Sequence, residues 1–540
     1  MSYVIGFDLG THQTKICVQD ATNPAEKTYQ FFEFDMPDGS HTVLFPSIVQ
    51  VNKDHTISYG YSNEDDCLIL GGNCGEKPTL ELLEEPTTPE LPQYVAPKKH
   101  PPKPKFDPWL DNLKKLKGQK TDIDIWEEKC QALDAAAKKA WDKECARINE
   151  AYQKQVAEIR KKNEAIETKY QKYLKAWEEA SRPQKLIFRY FKLHALTGVG
   201  TWTCRYVKSE DVCVWYIAYI LLKLKESYGD DVTIQFGVPC GASETQRDKV
   251  ITNCTYRVYI AAQDLADNFD SIDEYLDSPY ERLLELTQYK RINNEVINEY
   301  VFDDLPEAFA GLVAVTLQKK LDKGFHLLVD IGGGTTDMAL FCVNHDNWKP
   351  DVIYVTSFPN GINHILEAKS VANKQPMEIL QETFLRSPSH HSFRHPICSY
   401  HSILRREGED VSTKIKKSFT GSFYHHGRKL PELEKALKNQ PVIFGGGGGA
   451  FQELHIPLQS FTDLRKINKG MLGIRNLLTT GIDEKTFPIL ATSYGLASYE
   501  KEYGETLKCT DISIAFKTFL PRKNKGSSIY DRYEHGLSDT

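Results

Sequence analysis

The sequence predicts an α/β protein of two similar lobes carrying a long helical insertion, and three observations lead there. Residues 327–340 read LLVDIGGGTTDMAL: a branched apolar strand, a turn through Gly332, Gly333 and Gly334, and a returning strand. The N-terminus repeats that grammar, with an apolar strand ending at Asp8, Leu9-Gly10-Thr11 in the turn, and residues 16–18 coming back. Residues 119–182 contain neither glycine nor proline and are rich in Ala, Glu, Lys, Gln and Arg, the composition of helix.

The glycine turns carry the chemistry. Consecutive glycines let a backbone reach conformations closed to other residues and approach a ligand closely, and successive free N–H groups form an anion-binding concavity. Thr335 and Thr336 add hydroxyls where phosphate oxygens would lie, while Asp330 and Asp337 bracket the cradle. Carboxylates beside phosphates repel unless a hard cation such as Mg²⁺ lies between them. Downstream, PVIFGGGGGAF at 441–451 is a short strand running into Gly445, Gly446, Gly447 and Gly448, where backbone can pass close to a flat ligand.

Strand-DLGT, then VDIGGGTTD, then a strand running into GGGG, in that order, resembles the actin, sugar-kinase and seventy-kilodalton heat-shock ATPase superfamily, and most closely the heat-shock nucleotide-binding domain. The resemblance implies an actin-like fold of duplicated ribonuclease-H-like halves gripping Mg-ATP between them. Further stretches share it. VLFPSIVQV at 43–51 is similar to the family's strand after a proline-serine pair. VTIQFGVP followed by CGASETQRDKV is similar to its Val-Pro strand end and Gln-Arg helix, placing Pro239, Gln246 and Arg247 in the family's relay. FDDLPEAFAGLVAV resembles its connecting helix, with Glu307 followed by the small residues Ala310 and Gly311. The family more often writes Glu-Pro where this chain has Pro306-Glu307. VSTKIKKSFTGS resembles the adenine-stacking helix, placing Lys416, Lys417 and Thr420 at the base, and FPILATSYGLASY at 487–499 resembles the closing helix.

By that resemblance Asp8 and Asp330 hold Mg²⁺ through water, with Asp337 in reserve. Thr11, Thr335 and the glycine backbone cradle phosphate. Glu307 and Asp330 orient the attacking water, and Lys192, in a Phe-x-x-Lys-like setting, meets the terminal phosphate. The tail at 504–540 is too short for the family's substrate-binding domain, so the likeness covers the nucleotide-binding region only.

Composition is compatible with this. A net charge of −7 and a pI near 6.2 give no reason to expect a nucleic-acid surface. Twelve cysteines without paired short spacings, behind an N-terminus with no signal peptide, imply a reducing, cytoplasmic setting. No apolar run approaches the ~20 residues of a membrane span.

The chain then divides into a first part of lobe I (1–75), a proline-rich linker (76–120), a helical coiled-coil insertion (121–182), the rest of lobe I (183–325), lobe II (326–503) and a tail (504–540). Nine prolines between 78 and 108 favour extended chain. Within the insertion, apolar residues recur mostly at steps of three and four from Trp126 through Cys130, Leu133, Ala137 and Trp141 on to Trp177, with slips near 141 and 152. The expected form is an antiparallel helical hairpin folded near residues 146–155, binding a protein partner or a second copy through its spare aromatics. The cluster His390, His391, His395, Cys398 and His401 could clip zinc, although Pro388 and Pro396 make the segment loop-like.

Three functions fit such a scaffold: a nucleotide-driven switch ATPase, an actin-like filament former, and a small-molecule kinase suggested by Lys15 in DLGTHQTKICV.

Overall fold

The computed structural model describes residues 3–499 apart from 24–25, 72–75, 199–201, 203, 240–245, 301–302, 318–319, 344–349, 423–440, 456–462 and 475. It is α/β, and it separates into two compact units, Met1–Ile69 with Lys185–Thr540, and Leu70–Gln184.

The first unit is built on two large sheets that share one five-strand order, the first with a sixth strand, Phe45–Pro46, paired to Gln13 and Thr14. In one half, β1 (Tyr3–Asp8), β2 (Gln13–Asp20), β3 (Thr28–Phe31), β4 (Val232–Val238) and β5 (Asp303–Pro306) run β5-β4-β1-β2-β3. In the other, β6 (Gly324–Ile331), β7 (Thr336–Val343), β8 (Pro350–Phe358), β9 (Pro441–Gly445) and β10 (Asp463–Lys466) run β10-β9-β6-β7-β8. In each half the first three strands form an antiparallel meander, and the last two join the first strand's free edge in parallel.

Both faces of the second sheet are covered, so β6 is apolar at nearly every position. Phe325, Leu327, Val329 and Ile331 join one core with helix Ile362–Asn373, while Leu328 points into the other. That second core holds the helices Glu307–Thr316 and Phe487–Ser498 together with Cys17 and Phe31 of the first sheet, so it is shared by both halves. The two helices pack very closely. A Cβ on Gly495 would lie 1.8 Å from the Ala310 carbonyl oxygen, so only glycine fits there. Gly6 in β1 is constrained likewise, its Cβ position lying 2.1 Å from the Ser493 carbonyl oxygen.

The insertion differs from the expected hairpin of helices. Asp122–Ser181 is one continuous helix of 60 residues, about 90 Å long at 1.5 Å per residue. Nothing in it breaks a helix, and Thr121 with Asp124 forms a capping box at its start, Asp124 N–H to Thr121 Oγ1 at 3.1 Å and Thr121 N–H to Asp124 Oδ2 at 2.9 Å. The returning leg is instead the proline-rich stretch. It is extended as its composition requires, but it lies along the helix rather than hanging free. Asn163 exchanges two 2.9 Å hydrogen bonds with the backbone of Leu83, Glu85 pairs with Arg160 at 2.7 Å, and His100 meets Asp134 at 2.9 Å. Trp141 and Trp126 donate their indole N–H groups to the carbonyls of Pro92 and Pro101, each at 2.6 Å. The contacts run antiparallel, and lengths agree. Residues 83–101 span about 56 Å at the ~3.1 Å rise of polyproline chain, and residues 163–126 span about the same at 1.5 Å. Proline suits this leg because it brings no N–H to satisfy and leaves its carbonyl free to accept. The leg ends in a short helix, Pro108–Leu116, with Asp107 capping Trp109 and Leu110.

Within the first unit, the points where the insertion leaves and returns are neighbours: Leu186 N–H donates to the Leu68 carbonyl at 3.0 Å.

Candidate active site

The two strand hairpins present their turns to one cleft of about 670 Å³. Asp8 ends β1 and Lys15 faces it from β2; Asp330 lies near the end of β6 and Asp337 faces it from β7. Equal spacing thus puts equivalent residues at equivalent corners. Their electrostatics differ. Lys15 Nζ lies 2.7 Å from Asp8 Oδ2, whereas Asp330 has Asp337 as its cross-strand neighbour and, among the described residues, neither makes an ion pair, Lys15 and Lys192 acting on them only from farther off.

Asp330 receives a 3.0 Å hydrogen bond from Thr492 Oγ1 on the closing helix. Burial and the nearby Asp8 carboxylate nevertheless push its carboxyl up to about 6. Asp337 is buried, its Oδ1 has no hydrogen-bond partner among the described residues, and burial with Glu307 and Asp330 nearby drives it well above the usual carboxylate range. Lys192 donates to Glu307 Oε1 at 2.7 Å, both side chains buried. Burial raises Glu307, although Lys192 pulls it back. Burial opposes the Lys192 ammonium, but Glu307, Asp8 and Asp337 outweigh it and hold its pKa above the ordinary value.

The glycines make the close approaches. Gly332 N–H bonds to the Thr335 carbonyl at 2.8 Å, closing the turn. A Cβ on Gly334 would lie 2.8 Å from Thr11 Oγ1, so the two turns nearly touch. Gly446–Gly449 is a helical turn at the end of β9; Gly446 has φ +72°, and a Cβ there would meet Asp330 Oδ1 at 2.2 Å. Gly10, Gly332, Gly333, Thr335, Gly446 and Gly447 line the cleft. Gly445 and Gly448 stand behind the lining, against Asp330 and Ile331.

The structure therefore brings Asp8, Lys192, Glu307, Asp330 and Asp337 to one cavity with Thr11 and the glycine turns. Pro239 is buried at the end of β4. Lys416, Lys417 and Thr420 fall in the helix Arg394–Ser422, but their side chains lie outside the described residues, as do those of Gln246 and Arg247. The histidine-rich stretch differs from the expected loop. Arg394 begins a helix that tolerates Pro396 in its first turn, where no intrahelical N–H is needed. His401 is taken up by the Glu453 carbonyl at 2.9 Å and His390 by Ser392 at 2.8 Å. Among the described residues no three His, Cys, Asp or Glu side chains converge as a metal cage.

Sequence reasoning missed His12. Its ring stands over Gly333, whose Cβ position would lie 2.1 Å from the ring, and it joins the halves. Gln381 Nε2 donates to Nδ1 at 2.8 Å, leaving Nε2–H to donate to Asn363 Oδ1. Burial lowers its pKa, favouring the neutral ring these bonds require. The available signal was a polar aromatic directly after Thr11 in the first turn. Asn363 was hidden because its role depends on Gly361, which lets the chain pack on the Gly332 and Gly333 carbonyls.

No protein-family model matches the chain, and no curated protein matches it.

Proposed function

We propose that this protein binds Mg-ATP in the cleft and hydrolyses it as a nucleotide-dependent switch, on an actin-like two-lobe scaffold closest to the heat-shock nucleotide-binding domain. The observation that carries this reading is the buried pair Asp330–Asp337 beside a glycine turn. Like charges opposite each other on a hairpin are unfavourable, and an unpartnered Asp337 oxygen adds to the cost, so the site is suited to a cation. Two carboxylates without a cage fit Mg²⁺, which keeps water and takes phosphate oxygens as its remaining ligands. Bound there, Mg²⁺ would neutralise phosphate charge.

The chain's own groups supply the rest. The backbone N–H groups of Gly10, Gly333 and Gly334, with Thr11 and Thr335, hold phosphate, while the Gly332 N–H is kept by the Thr335 carbonyl. Lys192 balances the terminal phosphate, Glu307 and Asp330 orient a water for in-line attack, and the close packing around Gly495 couples cleft geometry to the helices between the sheets. Asp8, paired with Lys15 at 2.7 Å, would be the second carboxylate to hold the metal through water. Lys416, Lys417 and Thr420 are assigned to the base. The insertion reports nucleotide state to a protein partner or a second copy, in a cytoplasmic setting. Calorimetry with Mg-ATP tests the reading: the parent binds, and Gly333→Val, whose side chain runs into the His12 ring and distorts the glycine turn, does not. Equal affinity in the folded variant refutes the cradle.

A further inference from the structure

The insertion has a second chemical character at the end away from its two chain termini. Between residues 97 and 120 there are eight lysines and two aspartates, with no arginine or glutamate, in a chain whose net charge is −7. Lys114 pairs with Asp122 at 2.6 Å, Lys120 pairs with Glu128, and Lys103 lies over the Trp126 ring. Lys98, Lys99, Lys105, Lys115 and Lys117 are exposed and have no ion pair among the described residues.

The short helix Pro108–Leu116 sits in this basic region with its polarity reversed. Its one buried residue is Asp111, while Trp109 is 71 % exposed and Leu116 86 %. Trp109, Leu113 and Leu116 fall at i, i+4 and i+7, one stripe of the helix, and Phe106 just before it is 65 % exposed. A helix that points its tryptophan and leucines at solvent among uncompensated lysines lacks an occupant on that face.

We propose that this tip is a docking surface for the headgroup layer of an anionic phospholipid bilayer. Charge complementarity selects a negative occupant, and the apolar stripe requires one with an accessible apolar layer beneath the charge. The exclusive use of lysine favours a diffuse charged surface. Arginine is the residue for bidentate recognition of individual carboxylates or phosphates, as in protein hot spots and nucleic acid, and it is missing. At about 14 Å, the helix is long enough to lie in the interface and far too short to cross it. Among the described residues no helix is long and apolar enough to cross a membrane. This inference is independent of the nucleotide reading, since it uses only residues of the insertion.

Flotation of the full-length protein with vesicles tests it. With phosphatidylcholine vesicles containing about 30 % phosphatidylserine the protein should float, and with phosphatidylcholine alone, or in high salt, binding should fall at least about tenfold. The double variant Trp109→Ser/Leu116→Ser should lose about tenfold or more against the anionic vesicles, as should Lys115→Glu/Lys117→Glu, whereas Tyr173→Ser elsewhere on the insertion should not. All four substituted tip residues are exposed, and circular dichroism verifies that the long helix is retained. Absence of flotation with anionic vesicles overturns the proposal, as does undiminished binding of the tip variants. Tighter binding to poly-glutamate or to a single-stranded oligonucleotide than to the vesicles also overturns it and assigns the tip to an acidic protein or nucleic acid.

Discussion

The two hairpins at the cleft are the same device with one corner changed. Asp8 looks across its hairpin at Lys15, and Asp330 at the same distance along its own looks at Asp337. The first pair is complete in itself, with 2.7 Å between nitrogen and oxygen. The second is two buried acids, with Asp330 pushed up to about 6 and Asp337 raised well above the usual carboxylate range by burial and its acidic neighbours. Two sheets of the same strand order thus differ in sign at a single position, and under the function proposed above the second hairpin is the half that would receive a cation.

The strongest way to break this comparison is to neutralise each half in turn. Asp330→Asn should leave the fold intact and lower ATP turnover on the order of 10²-fold or more, the scale expected for a group that stabilises developing charge. Asp8→Asn, whose carboxylate is already compensated, should cost less; the opposite ranking in a turnover assay would reverse the assignment of the halves.

A second test concerns Lys192, which is buried with Glu307. Lys192→Met leaves a buried carboxyl without its cation and should destabilise the protein by about 3–5 kcal/mol in urea unfolding, with much of the loss recovered in Lys192→Met/Glu307→Leu. Recovery of stability without recovery of turnover would separate the pair's structural and chemical roles.

Acid should also distinguish the halves. His326 in β6 is fully buried, bonds through Nε2 to the Asp322 carbonyl at 2.6 Å, and is lowered by burial to about 4; its counterpart in β1 is Val4. The folded state keeps the ring neutral, while the unfolded chain takes up a proton below about 6.5. Stability from this site is therefore complete above that pH, declines as pH falls toward 4, and loses at most on the order of 3 kcal/mol. His326→Val should flatten that part of the curve of thermal midpoint against pH.

The smallest expected effect is on ATP affinity when the whole second unit, 70–184, is replaced by a short glycine-serine linker. Leu68 and Leu186 are already hydrogen-bonded neighbours, so affinity should stay within a few-fold. A variant unable to bind ATP would make the insertion part of the nucleotide site.

Much of this was legible because the relevant signals are local. A strand, a glycine turn and a strand declare themselves in fifteen residues, and the absence of glycine and proline from 119–182 declares a helix. The harder features are relations between distant segments. No periodicity shows that Trp126 and Trp141 are covered by the carbonyls of Pro101 and Pro92, so the helix looked as though it needed a helical partner. His12 and Asn363 meet from positions 351 residues apart, and Gly446 is recognisable as a neighbour of Asp330 only once β9 lies beside β6.

The pairing of the long helix with the proline-rich leg has a consequence for how the insertion can vary in length. A polyproline leg advances about 3.1 Å per residue and an α-helix 1.5 Å, so the two legs keep step only when two helical residues accompany each extended one. An unmatched insertion in either leg would slide every indole past its carbonyl. The rod is a vernier, and related rods of different length should differ by two residues in the helix for each one in the leg.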